Sequence, residues 1–303
     1  MQSGTSPKGV LIVGGNSFLG AHLCYALRKD FRVISAAIDG ESFPIEGVSS
    51  VRIDFKEELQ IRNLVYRTAP DYILYLGGSH SVAWNEKNSK ISELHHANGA
   101  GELIKHSELF HTRVIYFSTC YVYDGHRGNY KEQDTLSPSL TLGKYKVGGE
   151  NLVKSRSSNY LILRVPPIYG KGHPYRSGFL DLLRMRLTHS KPVELQNYEL
   201  YNFASAFSVT ETVRTILNQG VRKGIYHYGG LSRLTHFELG TLFAQKHGLN
   251  ENLIAPIKQP YSGSMISSDN RLDYSLNSSE IMSTYGVKNY EIEDALEIDP
   301  FFR

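Results

Sequence analysis

The stretch Val10-Leu11-Ile12-Val13-Gly14-Gly15-Asn16-Ser17-Phe18-Leu19-Gly20 joins an apolar run to a glycine-rich turn. A short apolar run bounded by a turn reads as a buried strand. Beyond the turn, Leu19, Leu23, Ala26 and Leu27 recur at helical spacing, which predicts a helix over 18–29. Strand, tight turn and helix in that order open a βαβ unit. The start of such a helix aims unpaired N–H groups outward, and glycines let the backbone approach a pyrophosphate closely. The turn is thus a candidate phosphate cradle. A tight βα turn also forms with no ligand, so its place directly after the first strand is what gives the signal weight.

Outward from this stretch the alternation continues. Strands are expected at 32–37, 50–54, 71–76, 113–118 and 160–164, with helices over about 57–68, 86–110 and 142–155. That order predicts an α/β fold, a doubly wound parallel sheet of the Rossmann type. After Pro166-Pro167 the regularity fades, and residues 171–206 and 250–275 are rich in Gly, Pro, Ser and Asn. A helix and then Gly224-Ile-Tyr-His-Tyr228 are expected to return to the first domain. The expected division is a dinucleotide-binding domain of 1–168 plus about 207–229, and a smaller C-terminal substrate-binding domain of 169–206 and 230–303. The length of 303 residues agrees with two domains at roughly 150 each.

Composition narrows the function. Lys plus Arg total 33 against 30 Asp plus Glu, a net charge of +3, which argues against a nucleic-acid partner. No apolar run reaches the ~18 residues of a membrane span. Met1–Lys8 carries no apolar signal core, so a cytoplasmic protein is expected. Cys24 and Cys120 are the two cysteines, too few for a disulfide scaffold or a Cys-based zinc site. Among the 12 histidines, His95 and His96 are adjacent and diverge on a helix, while His80, His126 and His173 are scattered. No HExxH spacing occurs, and no metal is expected. From Val33 to Val51 there is no Lys or Arg, while Asp39, Glu41 and Glu46 are acidic. A ribose diol could bond Asp39, whereas a 2′-phosphate would lack a counter-charge, so NAD is expected ahead of NADP.

The spacing of Gly14, Ser17 and Gly20 resembles the GxxGxxG of extended short-chain dehydrogenases/reductases that act on nucleotide sugars, with Ser17 in the middle glycine's place. Ser118-Thr119-Cys120-Tyr121-Val122-Tyr123-Asp124-Gly125 is similar to that branch's S-[ST]-x-x-V-[YF]-x-G segment. Glu132, Asp134 and Pro138 match its polar lead-in. Leu142-Gly143-Lys144-Tyr145-Lys146-Val147-Gly148-Gly149-Glu150 aligns with Y-G-x-[ST]-K-x-x-x-E, so Leu142 occupies the catalytic tyrosine position. Arg164-Val-Pro-Pro-Ile-Tyr-Gly170 resembles R-x-x-x-[VL]-Y-G. In the second half, Gly224–Gly229 with the helix at 235–247, and Asn270–Leu276, are similar to dTDP-4-dehydrorhamnose reductases and to their non-catalytic relatives, the regulatory beta subunits of methionine adenosyltransferase.

The resemblance implies roles. Gly14, Asn16, Ser17, Phe18, Leu19 and Gly20 would hold the cofactor's pyrophosphate, Asp39 its ribose and Asp54 its adenine. Phe55, Leu76, Gly77, Gly78 and Ser118 are further expected cofactor contacts. Lys146 would hold the nicotinamide ribose, with Pro167 and Ile168 along the ring. Thr119, Cys120 and Tyr121 would meet the substrate, and Arg271 its diphosphate.

The loss at 142 matters physically. Tyr and Lys four residues apart share a helix face, and the ammonium lowers the phenol's pKa. A placed phenol contributes roughly 10²–10⁴-fold as a general acid. Leucine contributes none of that. Tyr145 projects roughly 100° away around the helix, so Tyr121, near Thr119, is the better candidate for moving the proton. Two readings stand: an oxidoreductase, epimerase or dehydratase acting on a nucleotide sugar, or a catalytically silent NAD(P)-binding regulatory homologue. A homodimer is carried as the expected assembly, which no residue pattern in the sequence specifies.

Overall fold

The computed structural model describes residues 7–38, 40–174, 176–257 and 271–298. Asp39 therefore lies outside the described residues. β1 (Gly9–Val13) leads through the glycine turn into α1 (Phe18–Leu27), followed by β2 (Arg32–Ala37), β3 (Ser49–Arg52), α2 (Glu58–Thr68) and β4 (Tyr72–Tyr75). α3 (Val82–Lys87), α4 (Ser89–Glu93) and α5 (Gly99–Ser107) lead to β5 (Arg113–Thr119), α6 (Thr141–Arg156) and β6 (Tyr160–Val165). Then come β7 (Ile168–Tyr169), α7 (Phe179–Thr188), β8 (Val193–Gln196), β9 (Glu199–Leu200) and β10 (Ala204–Ser205). α8 (Ala206–Gln219), β11 (Gly224–His227), α9 (His236–Lys246), β12 (Ile254–Ile257), β13 (Leu272–Asp273), α10 (Ser279–Tyr285) and α11 (Ile292–Ile298) complete the chain.

Seven strands form one parallel sheet in the order β3-β2-β1-β4-β5-β6-β11. The winding reverses between β1 and β4. In open α/β sheets that reversal leaves a crevice at the carboxyl ends of the strands, where ligands bind. Both faces of the sheet are covered, which is why its central strands are apolar without alternation. Leu23, Leu27, Val209, Val213, Ile281 and Tyr285 cover one face, so α10 packs there beside α1 and α8. Ile61, Val65, Ala100, Leu103, Ile104 and Val153 cover the other. A third cluster, including Tyr121, Leu142, Leu183, Tyr201, Leu239 and Phe243, joins the cleft side of the sheet to the later segments.

Two expectations need correction. The strand expected at 50–54 ends at Arg52, because the Asp54 carboxylate accepts the Lys56 N–H at 2.9 Å and turns the chain. The helix expected over 86–110 is interrupted. Asn88 bonds back to the Trp84 carbonyl at 2.8 Å between α3 and α4, and Leu94–Asn98 is a π-helical turn. A π turn displaces carbonyls from the α register. Here the buried phenols of Tyr75 and Tyr116 donate to the His95 and His96 carbonyls, each at 2.6 Å. Those phenols come from β4 and β5, so helical periodicity could not announce the break.

Candidate functional site

The phosphate loop is shaped by two glycines. Gly14 has φ +83°, a left-handed conformation that glycine alone adopts cheaply. A Cβ at Gly20 would lie 2.2 Å from the Gly14 carbonyl oxygen, so the turn and α1 can close only without a side chain there. Ser17 is the helix N-cap, its Oγ accepting the Gly20 N–H at 3.1 Å. Its hydroxyl proton remains available, since a serine hydroxyl both accepts and donates. The first N–H groups of α1 have no intrahelical acceptor, and the helix dipole adds positive potential.

A cleft of about 970 Å³ runs from this loop across the carboxyl ends of β1, β4 and β5. Gly14, Asn16, Ser17, Phe18 and Leu19 line one end, and Leu76 and Gly78 the middle. Ser118, Thr119, Tyr121, Leu142, Pro167 and Ile168 line the other end. Sequence reasoning thus brought most of its candidates to one place. Gly20 and Gly77 lie behind the wall; a Cβ at Gly77 would meet the Tyr75 ring at 2.7 Å. Asp54 is exposed in its turn, and Phe55 is buried against Tyr75 and His95. Cys120 is buried beneath the cleft, and burial pushes its thiol pKa up. Arg271 pairs with Glu238 at 2.8 Å and does not line the cleft.

Lys146 is also apart from the cleft surface. It is fully buried one turn below Leu142, and its Nζ donates to the Phe117 carbonyl at 2.7 Å. Burial lowers its pKa to about 7, against an opposing pull from Glu150. Tyr145 turns outward to the Ser89 hydroxyl at 2.8 Å. Glu150 and Arg164 form a buried two-point pair, with Nε to Oε1 at 2.9 Å and Nη2 to Oε2 at 2.7 Å. Ser118 donates to Glu150 at 2.6 Å, and Arg164 also donates to the Tyr123 hydroxyl at 2.7 Å. These family-like positions brace β5 against β6 from below.

The Thr119 end of the cleft and its surroundings contain residues that sequence reasoning missed. Thr119 caps the short turn after β5, its Oγ1 accepting the Tyr121 N–H at 3.3 Å. The Tyr121 hydroxyl meets that of Tyr201 at 2.9 Å, and Tyr201 donates to the Glu199 carboxylate. His236, at the start of α9, lines the same end of the cleft. Gln196 accepts the Tyr198 and Glu199 N–H groups through Oε1 at 3.1 and 2.9 Å, which assigns its amide nitrogen to His236 Nδ1 at 2.7 Å. Nδ1 is then the acceptor, so neutral His236 carries its proton on Nε2. Burial among Phe179, Tyr201 and Phe203 lowers its pKa to about 4. Arg176 contributes an exposed cation to the rim. Arg176 and His236 line the cleft, while Gln196, Glu199 and Tyr201 stand behind its wall, and all five come from segments far along the chain from Thr119.

A glycine-cradled crevice at the switch point of a doubly wound parallel sheet defines a Rossmann-type α/β protein. The chain belongs to the family described as RmlD substrate binding domain, whose model matches residues 8–297. It is 22% identical over 254 residues to methionine adenosyltransferase 2 subunit beta of Bos taurus, covering 82% of this chain and 75% of that one. Its fold is similar to dTDP-4-dehydrorhamnose reductase from Bacillus anthracis in complex with NADP, with TM-score 0.81, 19% identity, and 99% and 100% of the two chains covered. It is also similar to the Bordetella bronchiseptica enzyme WbmG in complex with NAD and UDP, with TM-score 0.79, 14% identity, and 98% and 94% covered. Among the described residues no helix is long and apolar enough to cross a membrane.

Proposed function

We propose that the protein is an NAD(P)-dependent oxidoreductase of the reductase/epimerase/dehydratase class acting on a nucleotide sugar. The observation that carries this reading is the continuous cleft joining the Gly14 cradle to Thr119 and Tyr121. The cradle fits a dinucleotide, because a side chain at Gly20 would collide with the turn that a pyrophosphate must approach. When bound, the cofactor supplies or accepts a hydride. Thr119 orients the reacting oxygen of the sugar, and Tyr121 moves its proton. Pro167 and Ile168, which line the cleft, would flank the nicotinamide and help exclude water from it. NAD is preferred over NADP because no Lys or Arg occurs between Val33 and Val51, on the strand and loop that would meet the adenosine ribose.

The division of labour follows the same line: residues 1–168 with 207–229 bind the dinucleotide, while 169–206 and 230–303 take the sugar nucleotide. Two buried free thiols, Cys24 and Cys120, suit a reducing compartment, and we place the protein in the cytoplasm. We carry forward a homodimer as its assembly, to be checked by sedimentation.

Titration calorimetry with NAD(H) and NADP(H), followed by turnover assays on a 4-keto nucleotide sugar, tests the reading. NAD(H) binds more tightly and turnover is detectable; equal or stronger NADPH binding removes the preference. Leu142→Tyr places a phenol one turn before Lys146 and raises turnover by up to roughly 10²–10⁴-fold. A regulatory binder would hold the dinucleotide and remain silent with either residue at 142.

A further inference from the structure

Tyr201, from outside the sequence motifs, places a second phenol behind Tyr121. We propose that Glu199 is the proton reservoir of the site, delivering to the substrate oxygen through Tyr201 and Tyr121 in place of the tyrosine missing at 142. This rests on the oxidoreductase reading. Its geometry is a hydrogen-bonded chain: Tyr121 lines the cleft, its hydroxyl lies 2.9 Å from that of Tyr201, and Tyr201 bonds the Glu199 carboxylate. The rings are held by packing: Tyr121 meets Tyr201 edge-on at 6.0 Å, and Tyr274 stacks on Tyr201 at 5.8 Å.

Each phenol has one proton to donate, so the protonation of Glu199 orients the whole chain. With Glu199 ionised, Tyr201 donates to it, Tyr121 donates to Tyr201, and Tyr121 presents a lone pair to the cleft. With Glu199 protonated, each bond reverses and Tyr121 presents its O–H. Reduction of a carbonyl needs the second arrangement. In that step the Tyr121 O–H bond breaks as the substrate O–H forms. Tyr121 takes the Tyr201 proton, Tyr201 takes the Glu199 proton, and a carboxylate is left to be reprotonated by solvent. The nicotinamide cofactor provides the hydride. Oxidation of an alcohol runs the same transfers backwards.

No free phenolate is needed at any stage. That matters because burial raises the pKa of both Tyr121 and Tyr201 well above the usual phenol value, with Glu199 adding to it. Burial also raises the pKa of Glu199, opposed by the bond from Tyr201. Among the described residues, the titratable groups around the carboxylate are Tyr201, Tyr121, Tyr274 and Cys120, with His236 across Gln196. None of them carries positive charge at neutral pH, His236 because its pKa lies near 4. Tyr121 is the group that would touch substrate; Tyr201 and Glu199 act through it as positioning residues.

The test uses Tyr121→Phe, Tyr201→Phe and Glu199→Gln in the full chain, with Tyr145→Phe as control. In the reductive direction the wild-type rate falls as pH rises through the Glu199 pKa, and the oxidative direction shows the opposite limb. Tyr121→Phe lowers kcat by about 10²–10⁴-fold. Tyr201→Phe and Glu199→Gln lower kcat with KM little changed and erase that limb. A second readout needs no turnover. Infrared spectra of the ligand-free protein show a carboxylic acid band, absent in Glu199→Gln, that titrates above the ordinary value of 4.5 and moves higher still in Tyr201→Phe. Wild-type turnover with an unmoved pH profile in all three variants overturns the relay and leaves the oxidoreductase reading standing. No turnover from wild type or Leu142→Tyr brings down that reading and the relay's catalytic role together. A Glu199 band that titrates at the ordinary value and ignores Tyr201→Phe overturns the relay independently.

Discussion

Glu150 and Glu199 are carboxylates near the same cleft, each hydrogen-bonded by hydroxyl-bearing side chains, in opposite electrostatic company. Glu150 is fully buried, held at two points by Arg164 and bonded by Ser118. Glu199 has Tyr201 as its side-chain donor and, among the described residues, no cation beside it. A guanidinium keeps its proton at any accessible pH, so the two-point pair that it forms with the first carboxylate serves as a brace. The second sits where burial favours the neutral acid, and its proton can move. A cation partner turns a buried carboxylate into scaffold; its absence leaves a titratable group.

The largest expected effect breaks the brace. Arg164→Met leaves Glu150 buried without its partner and costs about 3–5 kcal/mol of stability, read by denaturant unfolding. A loss below about 1 kcal/mol would mean that the pair does not brace the sheet.

Lys146 sharpens the comparison, because it is a buried cation that neither carboxylate neutralises fully. Its pKa is about 7 folded, below the ordinary 10.5. Between those values the unfolded chain holds a proton that the folded chain has released, so stability rises with pH across that window and levels off above it. The slope reaches up to about 1.4 kcal/mol per pH unit. Lys146→Met flattens it, as unfolding curves taken from pH 6 to 11 would show. The same variant asks whether the ammonium leaves the Phe117 carbonyl to hold a ribose. Unchanged NAD(H) affinity in calorimetry would restrict Lys146 to its structural bond.

Glu199→Gln should change stability by about 1 kcal/mol or less, the size of one hydrogen bond, despite its effect on the chemistry. The sign depends on pH. The raised pKa of Glu199 makes the folded state bind the extra proton, so wild-type stability falls as pH rises through that window, and the variant loses this fall. Thermal melts at two pH values on either side would detect it; a loss as large as that of Arg164→Met would erase the distinction between the two carboxylates. Smallest of all, Ser17→Gly lies outside both networks and exchanges one N-cap for another, costing a few tenths of a kcal/mol with dinucleotide affinity kept or improved. A large loss of affinity would assign the Ser17 hydroxyl to the phosphate.

The readable parts of the chain are those whose causes are close in sequence. Gly14, Ser17 and Gly20 declare their turn because strand, cap and helix start are contiguous. The register of Gly143, Lys146 and Glu150 exposed the leucine at 142 for the same reason. Lys146 shows the limit: its helical position was legible, but its burial comes from Tyr116 and Phe117 on the neighbouring strand. The π turn at Leu94–Asn98 is a second case, set by phenols from two other strands.

By itself, then, the amino-acid order determined the doubly wound sheet and the glycine cradle at the end of β1, since periodicity and turn chemistry are local, and its resemblance to the family pattern marked Leu142 on α6 as standing where that pattern has a tyrosine. Tertiary structure alone decided which tyrosine faces the cleft and what stands behind it. Tyr121 and Tyr201 are separated by 80 residues. Nothing in either segment states that they will share a hydrogen bond or that Glu199 will lie beyond them. Desolvation and hydrogen-bond direction depend on what surrounds a group in space, and the fold supplies those surroundings only when β9 packs against the turn after β5.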